Sequence, residues 1–210
     1  MQIGTSDRIA GAALIVAAAL SMLVMAHHPT SAQATLMGEM VHGAMITLIA
    51  IIGYGLTHMA RRIGLDRPLV LAGLIALMIG IFGDIGAGTI NGFVVTALAA
   101  KGPIDPNIAS LAWEANQALA RLGVAATGAA YLLWSIGFVR QGGWARWLGL
   151  FGILAGVVPF ALLATGLLRM NLHGAIPIYA GQSIWAVLAG LYLWSGRFTA
   201  DRSLNANSGM

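Results

Sequence analysis

The 210-residue chain is 59% hydrophobic and only 9% charged, with a mean hydropathy of +0.83, against roughly 45–50% apolar and about 25% charged residues in soluble domains. It reads as an integral membrane protein in contact with the lipid bilayer. Cysteine is absent and the net charge is +4; the first excludes disulfides, cysteine-ligated metal and thiol catalysis, and the second sits at segment ends, as membrane topology requires, so no nucleic-acid partner is implied.

A helix needs roughly 20 mostly apolar residues to cross the hydrocarbon. Six stretches qualify, near 8–27, 38–60, 68–97, 108–139, 145–168 and 174–195. The expectation is an all-α, polytopic membrane protein, one six-transmembrane-helix bundle over residues 1–210, with short links, no internal repeat and no soluble domain. Ala32-Gln33-Ala34 after the first span has the form of a signal-peptidase site. The apolar run 9–26 exceeds the usual ~7–15 residues of a signal peptide, and Asp7 stands beside Arg8, so an uncleaved span is expected.

Basic residues set the orientation. One side holds Arg8, Arg61, Arg62, Arg67, Arg140, Arg146, Arg197 and Arg202, and the other only Lys101 and Arg169, with Arg121 inside a span. The positive-inside rule then places both termini in the cytoplasm of a cell with an inner (plasma) membrane. Trp134, Trp144, Trp147 and Trp194 fall at the cytoplasmic interface as an aromatic belt.

The second span opens with Glu39 and His42, three residues apart and so on one helical face. The third and fourth are about thirty residues long and should project beyond the hydrocarbon on the outer side. The third passes through a glycine-rich, polar run from Gly83 to Gly92, holding Asp84 and Asn91, where a helix can bend or break. In the fourth, Glu114, Gln117 and Arg121 recur at i, i+3 and i+7. The fifth carries Gly152-x-x-x-Gly156, read as packing within the bundle, then Pro159, where a kink is expected. The sixth opens near Pro177 as a first-turn proline, with Tyr179, Gln182 and Trp185 on an inward face.

Sorted by depth, the polar residues crowd the outer half, and the inner half is almost wholly apolar, with His58 as an interfacial residue at its edge. Ionisable groups inside a membrane are costly and ask for a partner or a function. The leading expectation is an outward-facing polar pocket for a small polar ligand or a proton, lined by Glu39, His42, Asp84, Asn91, Glu114 and Arg121. The protein then acts in binding or transport, or as an accessory subunit of a membrane complex or homo-oligomer. An ion-pair network of Arg121 with Glu114, Glu39 or Asp84 is the structural alternative.

Two metal readings stand beside it. Met22, Met25, His27 and His28 close the first span while Met37, Met40, His42 and Met45 open the second; thioether and imidazole together suit copper. His27, His28, Met37, Met40 and His42 are the candidate ligands. Bis-histidine haem, from His42 or His27 to His173, is the other. A single Glu39-x-x-His42 is half of what a di-iron carboxylate site needs. No catalytic motif is recognised.

Overall fold

The computed structural model describes residues 4–28 and 35–196. The Ala32-Gln33-Ala34 expectation, and Arg197 and Arg202 in the charge count, lie outside the described residues. The described chain is helical: α1 (Thr5–Ala26), α2 (Thr35–Ile63), α3 (Pro68–Thr89), a π-helical turn (Ile90–Val94), α4 (Val95–Ala99), α5 (Pro106–Gln141), α6 (Gly143–Ala164) and α7 (Leu172–Trp194). Six rods are long and apolar enough to cross a membrane, with α3, the π turn and α4 forming one of them over Pro68–Ala99. This is a six-helix membrane bundle.

Helix boundaries follow local chemistry. Asp105 caps α5, its Oδ1 accepting from the backbone N–H of Asn107 at 2.8 Å, with Pro106 in the first turn. Gly142, at φ +80°, ends α5 and lets α6 begin one residue later, a backbone angle that disfavours any side chain. The expected break in the third span is a π turn holding Asn91 and Gly92, while Gly83, Gly86 and Gly88 remain in regular helix. The expected start of the last span at Pro177 is corrected. Asn171 caps α7, its Oδ1 accepting from the N–H of Gly174 at 2.9 Å, and Pro177 falls inside the helix.

In space the rods form a ring, α1 against α2, α2 against α3, α3 against α5, α5 against α6, and α7 closing onto both α6 and α1. Glycines set the closest contacts. A methyl added to Gly83 would lie 2.6 Å from the backbone N of Gly123, and one on Gly11 would lie 2.7 Å from the carbonyl of Gly190. Gly156 faces Gly128, and Gly152 faces Ser135 and Trp185, so the Gly-x-x-x-Gly pair packs helices of one chain.

The two ends of the bundle differ. At the end where α1 begins and α7 stops, here called the terminal end, Trp134, Trp185, Tyr131, Phe138, Tyr192, Leu14, Leu56, Leu77 and Leu148 form the main core. Tyr131 stacks on Trp185 at 3.9 Å between ring centroids. The indole N–H groups of Trp134 and Trp185 donate to the carbonyls of Val70 and Leu148, each at 3.1 Å. Trp134 is therefore a core residue, correcting its place in the aromatic belt; Trp144, Trp147 and Trp194 are exposed. Its N–H finds a carbonyl at the start of α3, where an interior indole must find one.

Candidate functional site

At the far end the ring forms a half-open cavity of about 750 Å³ walled by α1, α2, α3, the π turn, α5 and α7. Its floor is Leu56, Leu77, Tyr131 and Ala186, and it reaches up to His28, Trp113, Asn171 and His173. Along α3 it runs from Leu77 to Ala87 and Gly88 and on to Asn91 in the π turn, a rise of about 21 Å at 1.5 Å per residue. Most of the wall is apolar, with Met22, Met25, Met45, Ile46, Ile49 and Ile81 among its residues. It is not the polar chamber anticipated from the sequence, because the bulky residues of α1 and α2 turn inward beside the polar ones.

Of the six residues expected at a ligand pocket, His42, Asp84 and Asn91 line this cavity. Glu39, Glu114 and Arg121 are exposed and do not. Helix periodicity accounts for the split. The buried stripe of α5 runs through Asn116, Ala120, Gly123 and Thr127, and at about 100° per residue Glu114 and Arg121 sit roughly 130–150° around the helix from its centre. On α2, Gly38, His42, Met45, Ile49 and Leu56 follow the inward line, and Glu39 stands beside it. Among the described residues, Arg121 makes no ion pair with Glu39, Asp84 or Glu114; its length lets the guanidinium reach the headgroups.

Asp84 lies about 24 Å along α3 from Pro68, beyond the middle of the bundle. Its carboxylate rests against Gly123, where no side chain intervenes. The hydroxyl of Tyr179 donates to Asp84 Oδ1 at 2.9 Å, joining α7 to α3. Asn116 and Gln117, polar and buried, are spent on structure. Asn116 Nδ2 donates to the Ala87 carbonyl at 2.9 Å and Gln117 Nε2 to that of Met170 at 2.7 Å.

The histidines and methionines divide as well. His42 is buried, with Nδ1 2.7 Å from the Gly38 carbonyl, and its Nε2 is 3.2 Å from Nε2 of His28. The carbonyl requires a proton on Nδ1, so in the neutral ring Nε2 is the acceptor and His28 donates to it. Met22, Met25 and Met45 line the same cavity. Met37 and Met40, at 55% and 67% exposure, do not, and His27 turns back to the carbonyl of Leu23 at 2.8 Å. Among the described residues no group of three or more His, Cys, Asp or Glu is placed to hold a metal ion. His42 and His173 share the cavity wall.

One polar cluster escaped the sequence reading. Asp7 is 2% exposed near the start of α1. His58 Nε2 lies 2.8 Å and Arg62 Nε 3.2 Å from its Oδ1. The terminal half thus holds a buried carboxylate, and His58 is hydrogen-bonded to it. The only signal was the pairing of His58 and Arg62 at i, i+4 on α2, which names no partner. Comparison with protein families, characterised proteins and solved structures finds no match to this chain.

Proposed function

We propose that this chain is a multi-pass plasma-membrane protein that binds a small amphipathic molecule within the far half of its bundle, in a binding or transport role. One observation carries the reading: a cavity of about 750 Å³ that is apolar over most of its wall and carries His42, Asp84 and Asn91 on it. Ligand sites in general have volumes of roughly 300–1,000 Å³, apolar walls and a few polar groups that fix orientation. The apolar wall moves the expected ligand from a small polar molecule to one with both characters. Arg8, Arg61, Arg62, Arg67, Arg140 and Arg146 belong to the terminal end, which supports a cytoplasmic placement for it and an outward-facing cavity.

The test uses protein in phosphatidylcholine nanodiscs and N-phenyl-1-naphthylamine, a neutral amphipathic dye whose fluorescence rises in apolar surroundings. Saturable binding of one dye per chain above that of empty discs is expected. Gly88→Phe, at a cavity position where a methyl would meet only Ile46 at 3.6 Å, should weaken it at least tenfold. Non-saturable uptake equal to empty discs, or unchanged affinity in Gly88→Phe, ends this reading.

A second reading, copper held by His28 and His42, rests on their 3.2 Å separation. With metal–nitrogen bonds of about 2.0 Å, that spacing subtends roughly 105° at a bound ion, and Met25 or Met45 on the same wall can add a soft ligand. Elemental analysis of protein purified without added metal decides it. Copper below about a tenth of an equivalent, with no gain on adding Cu(I), rejects this site.

A further inference from the structure

Resting on the cavity reading above, we infer that the ligand is a lipophilic organic cation, with the Asp84 carboxylate as its counter-charge and the ring of Tyr179, whose hydroxyl reaches that carboxylate, beside it. Asp84 is the one carboxylate on the cavity wall among the described residues, and no lysine or arginine shares that wall. Among the described residues it makes no ion pair; the tyrosine hydroxyl on Oδ1 is a neutral partner. A carboxylate in this setting is costly until its charge is matched.

The rest of the lining selects among candidates. An anion meets a like charge and no fixed cation. A neutral molecule brings no opposite charge and leaves the carboxyl to be neutralised by a proton. A hydrated alkali or alkaline-earth cation gains nothing from walls of methionine, isoleucine and leucine. A cation spread over hydrocarbon or aromatic groups gains from all three features at once, since ring faces attract cations and the apolar wall takes the rest of the molecule. The size is adequate for an ion with several ring substituents. The carboxylate's rest against Gly123 fixes its position, so the cation's charge is expected level with the Gly83–Gly123 contact.

Tetraphenylphosphonium and tetraphenylborate, nearly equal in shape and opposite in charge, supply the test. Each is used to displace N-phenyl-1-naphthylamine from the protein in phosphatidylcholine discs, with its bilayer concentration measured in empty discs. The phosphonium is expected to displace the dye at a bilayer concentration at least tenfold below that of the borate. In Asp84→Asn, the ratio of the two affinities should fall at least tenfold. The wild-type comparison stands without the variant should that chain misfold. Saturable dye binding with no preference for the phosphonium, or an unchanged ratio in folded Asp84→Asn, overturns the cation assignment and leaves the cavity reading intact. No saturable dye binding at all overturns both.

Discussion

Replacing Asp7 with asparagine tests whether charge holds α1 to α2 at the terminal end. Breaking a dry ion pair from one side costs about 3–5 kcal/mol, because the remaining charge stays buried. Here the Asp7 side chain is 3% exposed, while Arg62 keeps 28% and His58 15%. Both partners can regain part of their hydration, which lowers the expected cost of Asp7→Asn to about 1–3 kcal/mol. The assay is equilibrium unfolding in mixed micelles by dodecyl sulfate, followed by tryptophan fluorescence. A double-mutant cycle with Arg62→Gln isolates the pair, and a coupling of at least about 1 kcal/mol is expected. Two single effects that add within about 0.5 kcal/mol, the ordinary scatter for independent sites, would refute the reasoning. The loss in Asp7→Asn would then belong to packing at the start of α1.

The close helix contacts predict opposite outcomes for two glycines. Gly83→Ala pushes a methyl against the backbone of Leu119 and Gly123 and should cost about 1–3 kcal/mol in the same titration. Gly137→Ala, with nothing within 4 Å of the added methyl, should leave stability equal or raise it by up to about 1 kcal/mol; equal losses at both sites contradict the packing. Trp134→Phe removes the hydrogen bond to Val70 and leaves a gap, for an expected loss of about 1–3 kcal/mol. A loss below about 0.5 kcal/mol places Trp134 outside the core. Topology is open to labelling because the chain has no cysteine. A membrane-impermeant maleimide on intact cells should modify Asn107→Cys and spare Leu65→Cys, both exposed positions in the folded chain; the reverse pattern inverts the bundle.

Span number and length were legible because bilayer thickness acts on each segment separately: an apolar run of sufficient length is a span whatever its neighbours are. What was not legible is which side chains meet. Asp84 and Tyr179 are 95 residues apart, and no spacing rule joins them. Asp7 looked like a charge flanking a first span until α2 brought His58 and Arg62 to it. Glu114 and Arg121 share a face with Gln117 by spacing, yet they point away from a stripe whose centre is set by the small residues Ala120 and Gly123 facing α3. Helix faces were readable, but their rotation in the bundle was not, since in lipid an apolar outward face is as good as an apolar inward one.

The cavity has its cause in residue size. Tyr131, Trp134 and Trp185 fill the space between helices at the floor. Above them the wall is lined by Ala87, Gly88, Ala120, Ala175 and Ala180. These residues leave volume where the aromatic ones consumed it. The cavity is open on one side, so water and lipid chains are the first candidates to fill it. Water suits Asp84, His42 and Asn91 but not the isoleucine and methionine wall, and a lipid chain suits the wall but not the carboxylate. A molecule with a charged or polar part and an apolar body satisfies both surfaces together.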